Sequence, residues 1–258
     1  MPGEVRIVRE GAVGWIVFDH AKRRNAITAQ MWAAIPSAAQ TLDDDESVRV
    51  VVLRGAGEEA FVAGADISEF EKLRSGEAGR RYEEENARAF AALQAVKKPV
   101  IAMIHGFCIG GGTALALCAD IRYAADDATF AIPAARLGLG YPPHGLEALV
   151  RVVGYPAAKE ILFTARRLDA AEALRKGLVN AVLPKAELER FVRKSAADIA
   201  ANAPLTIRSA KQVLHALAHG GTGLDAALQS VRACFDSDDY REGVRAFLEK
   251  RPPTFRGR

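Results

Sequence analysis

The chain has 258 residues, half of them hydrophobic and 26% charged, enough for one large α/β domain or a domain with a small appendage. A formal net charge of +3 is too small to argue for nucleic acid and would not repel an anionic substrate. No apolar run approaches the roughly 20 residues that cross a bilayer, and Met1-Pro2-Gly3-Glu4 does not open a signal peptide, so the expected location is the cytoplasm.

Val5 and Ile7, then Trp15 to Phe18, read as two short strands joined at Gly11-Ala12-Val13-Gly14. Thr28 is a candidate N-cap for a helix running to about Leu42. The β-branched run Val48 to Leu53, closed by Arg54-Gly55, predicts a buried strand. Phe61 to Ile67 is a turn rich in small residues. Glu69 to Val96 is mostly helical in pattern but highly charged, and it reads as a solvated segment.

Pro99 to Ile104 is another buried strand, running into His105-Gly106-Phe107-Cys108-Ile109-Gly110-Gly111-Gly112. Thr113 to Cys118 suits a buried helix, and Ile121–Ala124 and Thr129–Ile132 suit further strands. After Pro133 the pattern is mainly helical, with a 3.6-residue period over 156–164, 170–176, 186–203 and 205–218, and a helical end from about Leu224 to Lys250. Strands alternating with helices indicate an α/β fold with parallel pairing. The division expected is a core over 1–203 and a helical region over 204–258. Cys108, Cys118 and Cys234 lack any metal or disulfide spacing and read as buried free thiols, and no metal is expected.

Two turns carry the chemistry. Gly110-Gly111-Gly112 lies between a strand and a helix, where backbone can approach a ligand closely and free N–H groups favour negative charge. The triplet equally suits a tight structural turn. It is not followed by a P-loop Gly-Lys-Ser/Thr and does not fit GxGxxG, so nucleotide motifs do not account for it. Ala63-Gly64-Ala65 forms a second small-residue turn, and two such turns can aim two N–H groups at one carbonyl oxygen.

These segments resemble the enoyl-CoA hydratase/isomerase (crotonase) family. Ala63-Gly64-Ala65-Asp66-Ile67-Ser68-Glu69 is similar to the family's AGADIxE segment, and His105 to Gly112 to its GxxxGGG segment, followed by Ala119-Asp120-Ile121-Arg122. Asn25-Ala26, Leu137-Gly138-Leu139, Val153-Gly154, Gly177-Leu178-Val179 and Glu242 to Arg251 continue the match along nearly the whole chain. The resemblance implies a crotonase-like spiral of ββα units with a C-terminal helical trimerisation region, a homotrimer or a hexamer of paired trimers, and an acyl-CoA substrate. It implies no permanently bound cofactor; coenzyme A enters as part of the substrate.

Carried over by position, the oxyanion hole is the backbone N–H of Ala65 and Gly111. Backbone near Ala63 and Ile67 would meet adenine, Lys22 or Arg23 the coenzyme A phosphates, and Phe247 and Lys250 the nucleotide end. Each basic residue is also readable as plain surface charge, and Phe247 as interface packing. Hydratases of the family use two glutamates around one water. Those positions here hold Ala114 and Ala134, which argues against efficient hydration by that route. In the following loop Tyr141 resembles a tyrosine of the family's methylmalonyl-CoA decarboxylase-like members; Tyr141 and His144 are the candidates to deliver a proton or orient a carboxylate, and Arg136 would attract that carboxylate if it points inward. Glu147 reads as a first-turn helix residue, Asp66 and Glu69 as holding a turn and a helix start, and His105 as structural. A non-catalytic acyl-CoA-binding protein is the competing reading.

Overall fold

Buried strands with apolar residues on both faces build the frame. A computed structural model describes residues 3–69 and 76–258. β1 (Glu4–Glu10) and β2 (Val13–Asp19) form an antiparallel hairpin. From β2 onward β3 (Val50–Gly55), β5 (Val100–Ile104), β7 (Ile121–Ala125) and β10 (Ala181–Leu183) run parallel, in the order β1-β2-β3-β5-β7-β10. Side chains alternate between faces with period 2. Ile16, Phe18, Val51, Leu53 and Ala102 therefore enter one core, and Trp15, Val17, Val50, Val52 and Ile101 another. A strand covered on both sides needs an unbroken apolar run, which is what 48–53 and 99–104 supply.

A second sheet holds β4 (Ala60–Val62), β6 (Phe107–Ile109), β8 (Thr129–Ala131) and β9 (Leu168–Asp169) in that order. The chain passes from the first sheet to the second and then into a helix three times. β3 and β4 lead to α2 (Gly76–Ala95), β5 and β6 to α3 (Gly111–Leu117), and β7 and β8 to α4 (Pro143–Thr164). This is the ββα spiral. Its corners are tight: a Cβ on Gly106, at φ +55, would lie 1.8 Å from the Glu59 carbonyl oxygen.

α1 (Ala29–Asp44) starts at Thr28, whose hydroxyl accepts from the Met31 N–H at 3.2 Å. α2 departs from the reading of 69–96 as a solvated segment. Tyr82, Ala89 and Leu93 are buried, so one face of this charged helix belongs to the core. The part of that reading over 70–75 lies outside the described residues. α4 begins earlier than the periodicity from Pro156 suggests. Proline is tolerated in a helix's first turn, and Gly154, at φ 75, kinks the helix before Pro156.

α5 (Ala170–Arg175) and α6 (Lys185–Ala200) precede α7 (Pro204–Ala218), α8 (Leu224–Asp236) and α9 (Asp238–Glu249). The single helical end from Leu224 is broken at Ser237, whose hydroxyl caps α9 by accepting from the Tyr240 N–H at 3.0 Å. The tail then returns to the core. The N–H groups of Arg256 and Gly257 donate to the Asp239 carboxylate at 2.6 and 2.8 Å, and Arg49 donates to the Phe255 carbonyl at 2.9 Å. Among the described residues no helix is long and apolar enough to cross a membrane.

Candidate active site

β4 and β6 are neighbouring parallel strands, with Ala60 opposite Phe107 and Val62 opposite Cys108. Their carboxyl ends therefore release the Ala63–Ala65 and Gly110–Gly111 turns side by side, at the edge where open parallel sheets usually take ligands. Ala65 bridges to Ile27: the Ile27 N–H donates to the Gly64 carbonyl at 2.8 Å, and the Asp66 N–H donates to the Ile27 carbonyl at 2.9 Å. The bonds on either side turn the Ala65 N–H away from Ile27. Gly111 is the first residue of α3, where the leading N–H groups have no partner within the helix. Neither the Ala65 nor the Gly111 N–H has a hydrogen-bond partner among the described residues.

The two groups are close. A Cβ placed on Gly111 would stand 3.7 Å from the Ala65 nitrogen and 3.2 Å from the Trp32 ring. Both residues line one cavity of about 170 Å³, together with Trp32, Phe90, Ile109 and Tyr141. Trp32 forms its floor. The Trp32 indole N–H donates to the Tyr82 hydroxyl at 3.0 Å, and its ring meets Phe90 edge-on at 5.3 Å, fixing α1 against α2. Gly112 cannot carry a side chain, because its Cβ would lie 2.1 Å from the Val62 carbonyl oxygen.

A family model described as Enoyl-CoA hydratase/isomerase matches residues 8–258. The chain belongs to that family. It is 38% identical over 256 residues to a crotonyl-CoA hydratase of Syntrophomonas wolfei, with 96% of this chain and 95% of the relative covered. It is 36% identical over 253 residues to a short-chain-enoyl-CoA hydratase of Clostridium acetobutylicum, with the same coverage, 96% and 95%. The crystal structure of an enoyl-CoA hydratase/carnithine racemase from Magnetospirillum magneticum superposes with a TM-score of 0.95 at 38% identity, covering 98% of this chain and 96% of that one.

In this enoyl-CoA hydratase/isomerase family member, Ala114 and Ala134 both line the cavity, and neither offers a polar side-chain atom. Ala63 and Ile67 sit at its rim. Lys22 and Arg23 are exposed and do not line it, but their turn is tied to the rim through the Ala63 N–H, which donates to the Arg24 carbonyl at 3.0 Å. Asn25 is buried and holds the same turn: its amide nitrogen donates to Ala56 and Ala60 carbonyls at 2.9 and 2.8 Å. Phe247, 84% exposed, and Lys250 lie on α9 and at its end, and neither lines the cavity.

Tyr141 borders the cavity, and burial, with a smaller contribution from nearby Cys118, pushes its hydroxyl up to about 12. At neutral pH it holds its proton and can donate it. Its ring packs where Gly145 has no side chain, a Cβ there falling 2.6 Å from the ring. His144 lies in the first turn of α4, and its side chain is outside the described residues. Arg136 is exposed and does not line the cavity; Glu147 is exposed and pairs with Arg151 at 3.3 Å.

Asp66 and Glu69 hold the frame. Burial pushes the Asp66 carboxyl up, but the Ser68 hydroxyl and N–H, donating at 2.7 and 3.0 Å, together with the charges of Arg23 and His20, bring it below the usual range. Glu69 accepts from the Ala29 N–H at 2.8 Å, so it caps the start of α1. His105 is buried, burial keeps it from charging, and its carbonyl accepts from the Phe61 N–H at 2.8 Å. Sequence reasoning passed over Trp32, Glu83, Asn86 and Phe90, all of which line the cavity. The 83, 86, 90 spacing of one helical face carried the signal, but the charge around it concealed it.

Proposed function

We propose that the chain is an acyl-CoA thioester enzyme that binds the thioester carbonyl oxygen between the N–H groups of Ala65 and Gly111 and works through the enolate. One observation carries this reading: two unpaired backbone donors, held by neighbouring strands, face one largely apolar cavity. Such preorganised donors stabilise the oxygen as it gains charge. The adenine contacts would fall at Ala63 and Ile67, and phosphate contacts at Lys22 or Arg23. Phe247 and Lys250 would cover the nucleotide of a neighbouring copy. A homotrimer or paired trimers would supply that copy, in keeping with the exposed apolar side chains Leu214, Phe235, Phe247 and Leu248 on α7 to α9.

Hydration by paired carboxylates finds no support at Ala114 and Ala134. A proton shift along the acyl chain needs less: an oxyanion site, a donor and a base. Tyr141, protonated across the physiological range, serves as the donor. A decarboxylase-type lyase is the second reading, because Tyr141 could protonate the enolate left when CO₂ departs. Among the described residues, however, no cation lines the cavity to hold a second carboxylate, Arg136 lying outside it.

The deciding experiment is incubation with crotonyl-CoA and methylmalonyl-CoA, followed by mass spectrometry, for wild type and the double variant Ala114→Glu/Ala134→Glu. We expect both proteins to bind the thioesters. Hydration should be slow in wild type and roughly 10²-fold faster once both carboxylates are restored. Fast hydration by wild type would overturn the argument from the alanines. Release of CO₂ would select the lyase reading, and failure to bind either thioester would end the acyl-CoA reading altogether.

A further inference from the structure

With Ala114 and Ala134 silent, the described cavity wall contains two ionisable side chains, Glu83 and Tyr141. Tyr141 is held in its protonated form, so it cannot accept a proton. Glu83 comes from α2, the helix whose adjacent face packs on the core through Tyr82, Ala89 and Leu93. Residues 83, 86 and 90 are three and seven positions apart and share one helical stripe, and all three line the cavity. Phe90 packs on Trp32, which also bounds Gly111, so the same wall that carries Glu83 is fixed against the oxyanion turn.

Glu83 has no structural partner. Among the described residues it makes neither an ion pair nor a hydrogen bond, whereas Glu77 on the same helix pairs with Arg81 at 3.2 Å. Asn86, one turn on, buries its side-chain oxygen without a hydrogen-bond partner among the described residues. The buried Asn86 oxygen, left without a partner on a wall otherwise built of Trp32, Phe90 and Ile109, costs stability, and a substrate group would satisfy it. Glu83 is exposed at the cavity edge, so its carboxylate stays solvated and ionised until an acyl group covers it.

We infer that Glu83 is the proton acceptor of this cavity and Asn86 its positioning residue, on the premise that the chain is the acyl-CoA enzyme proposed above. A carboxylate oxygen of Glu83 takes a proton from the acyl carbon next to the thioester carbonyl, or from its vinylogous carbon. The C–H bond breaks, the new O–H bond forms on Glu83, and the electron pair moves to the thioester oxygen between Ala65 and Gly111. Tyr141 gives a proton to the other carbon and regains one from solvent while Glu83 releases its proton to solvent, so the carboxylate is regenerated and the double bond shifts, with no oxidant, reductant or water consumed. One carboxylate suffices for this shift, and among the described residues Glu83 is the one carboxylate on the cavity wall.

The test is exchange of acyl protons in 3-butenoyl-CoA and crotonyl-CoA in deuterated buffer, read by mass spectrometry, beside the dissociation constant of each thioester by calorimetry. Wild type, Glu83→Gln, Glu83→Asp and His144→Ala are compared. We expect Glu83→Gln to lose roughly 10²-fold or more of the exchange while binding stays within about threefold. Glu83→Asp should recover part of it with an altered acid limb of the pH profile. Exchange unchanged in Glu83→Gln, exchange lost only in His144→Ala, or bound thioester that never exchanges in wild type would each overturn the assignment and leave the acyl-CoA reading standing. Wild type that binds no thioester would overturn both.

Discussion

Tyr141 shows how a single side chain's surroundings set its chemistry. Desolvation holds its hydroxyl up at about 12, above the ~10 of a free phenol. Folded-state affinity for the proton exceeds that of the unfolded chain. This contribution to stability is therefore complete below about pH 10 and is lost as pH rises towards about 12. A donor of this kind should keep its proton through the alkaline range in which free tyrosine ionises. Tyr141→Phe should accordingly lower turnover by roughly 10²-fold with little change in thioester affinity. The rate of wild type should show no fall near pH 10 assignable to this group, and a fall there that Tyr141→Phe abolishes would contradict the assignment. Gly111 supplies the complementary case. Its φ is not in the positive region, so alanine fits the backbone, but the added methyl would stand 3.7 Å from the Ala65 nitrogen and 3.2 Å from the buried Trp32 ring. Gly111→Ala should fold with a small shift of Trp32 and lose about 10² in thioester turnover, comparable to removing one oxyanion donor.

At the scale of elements, the strand–turn–helix units were largely legible because each is locally overdetermined. The β-branched run 48–53 pointed to a buried strand, and Gly110 to Gly112 to a tight turn between a strand and a helix, whether ligand-facing or purely structural. What stayed hidden was which neighbour made each glycine necessary. Gly112 is excluded from carrying a Cβ by the Val62 carbonyl oxygen, on a strand some fifty residues earlier, a fact no local pattern contains. Gly112→Ala should therefore destabilise the protein by about 3 kcal/mol or more, read as a lower midpoint in urea, whereas Gly57→Ala, where nothing lies within 4 Å, would cost only the strain of its φ of +68. The face of α2 was misread for a related reason. Its charges mask a stripe at 82, 89 and 93 that meets the core and another at 83, 86 and 90 that meets the cavity, and a periodicity diluted by polar residues does not reveal which partner a stripe faces. Asn25 and Glu69 were similarly partly legible: their place in the motif was visible, but their work of fixing a loop to Ala56 and Ala60 and of capping α1 depends on contacts 31 to 40 residues away.

Across the whole molecule, the buried thiols give a probe of global opening. Burial pushes Cys108 and Cys118 each up to about 12, so neither offers thiolate at neutral pH. A thiol reagent at pH 7.5 should leave both untouched in the native protein and label them only on unfolding; rapid native labelling of either would show that the core opens locally. The exposed apolar face of α7 to α9 makes self-association the expected state, and sedimentation should give a mass well above 27.7 kDa, with Phe247→Ser and Leu248→Ser together shifting it towards the single chain. The tail has a bearing on the order of events in folding. The Arg49–Phe255 bond joins residues 206 positions apart, and closing a loop of that length costs about 5 kcal/mol of chain entropy. So costly a closure cannot nucleate anything; it becomes favourable only when the strands and the three terminal helices already hold both ends near each other. The strap should thus be absent from the folding transition state, so weakening it at Asp239 would leave the refolding rate almost unchanged and speed unfolding instead. The last-formed bonds of this chain act as a brake on its undoing.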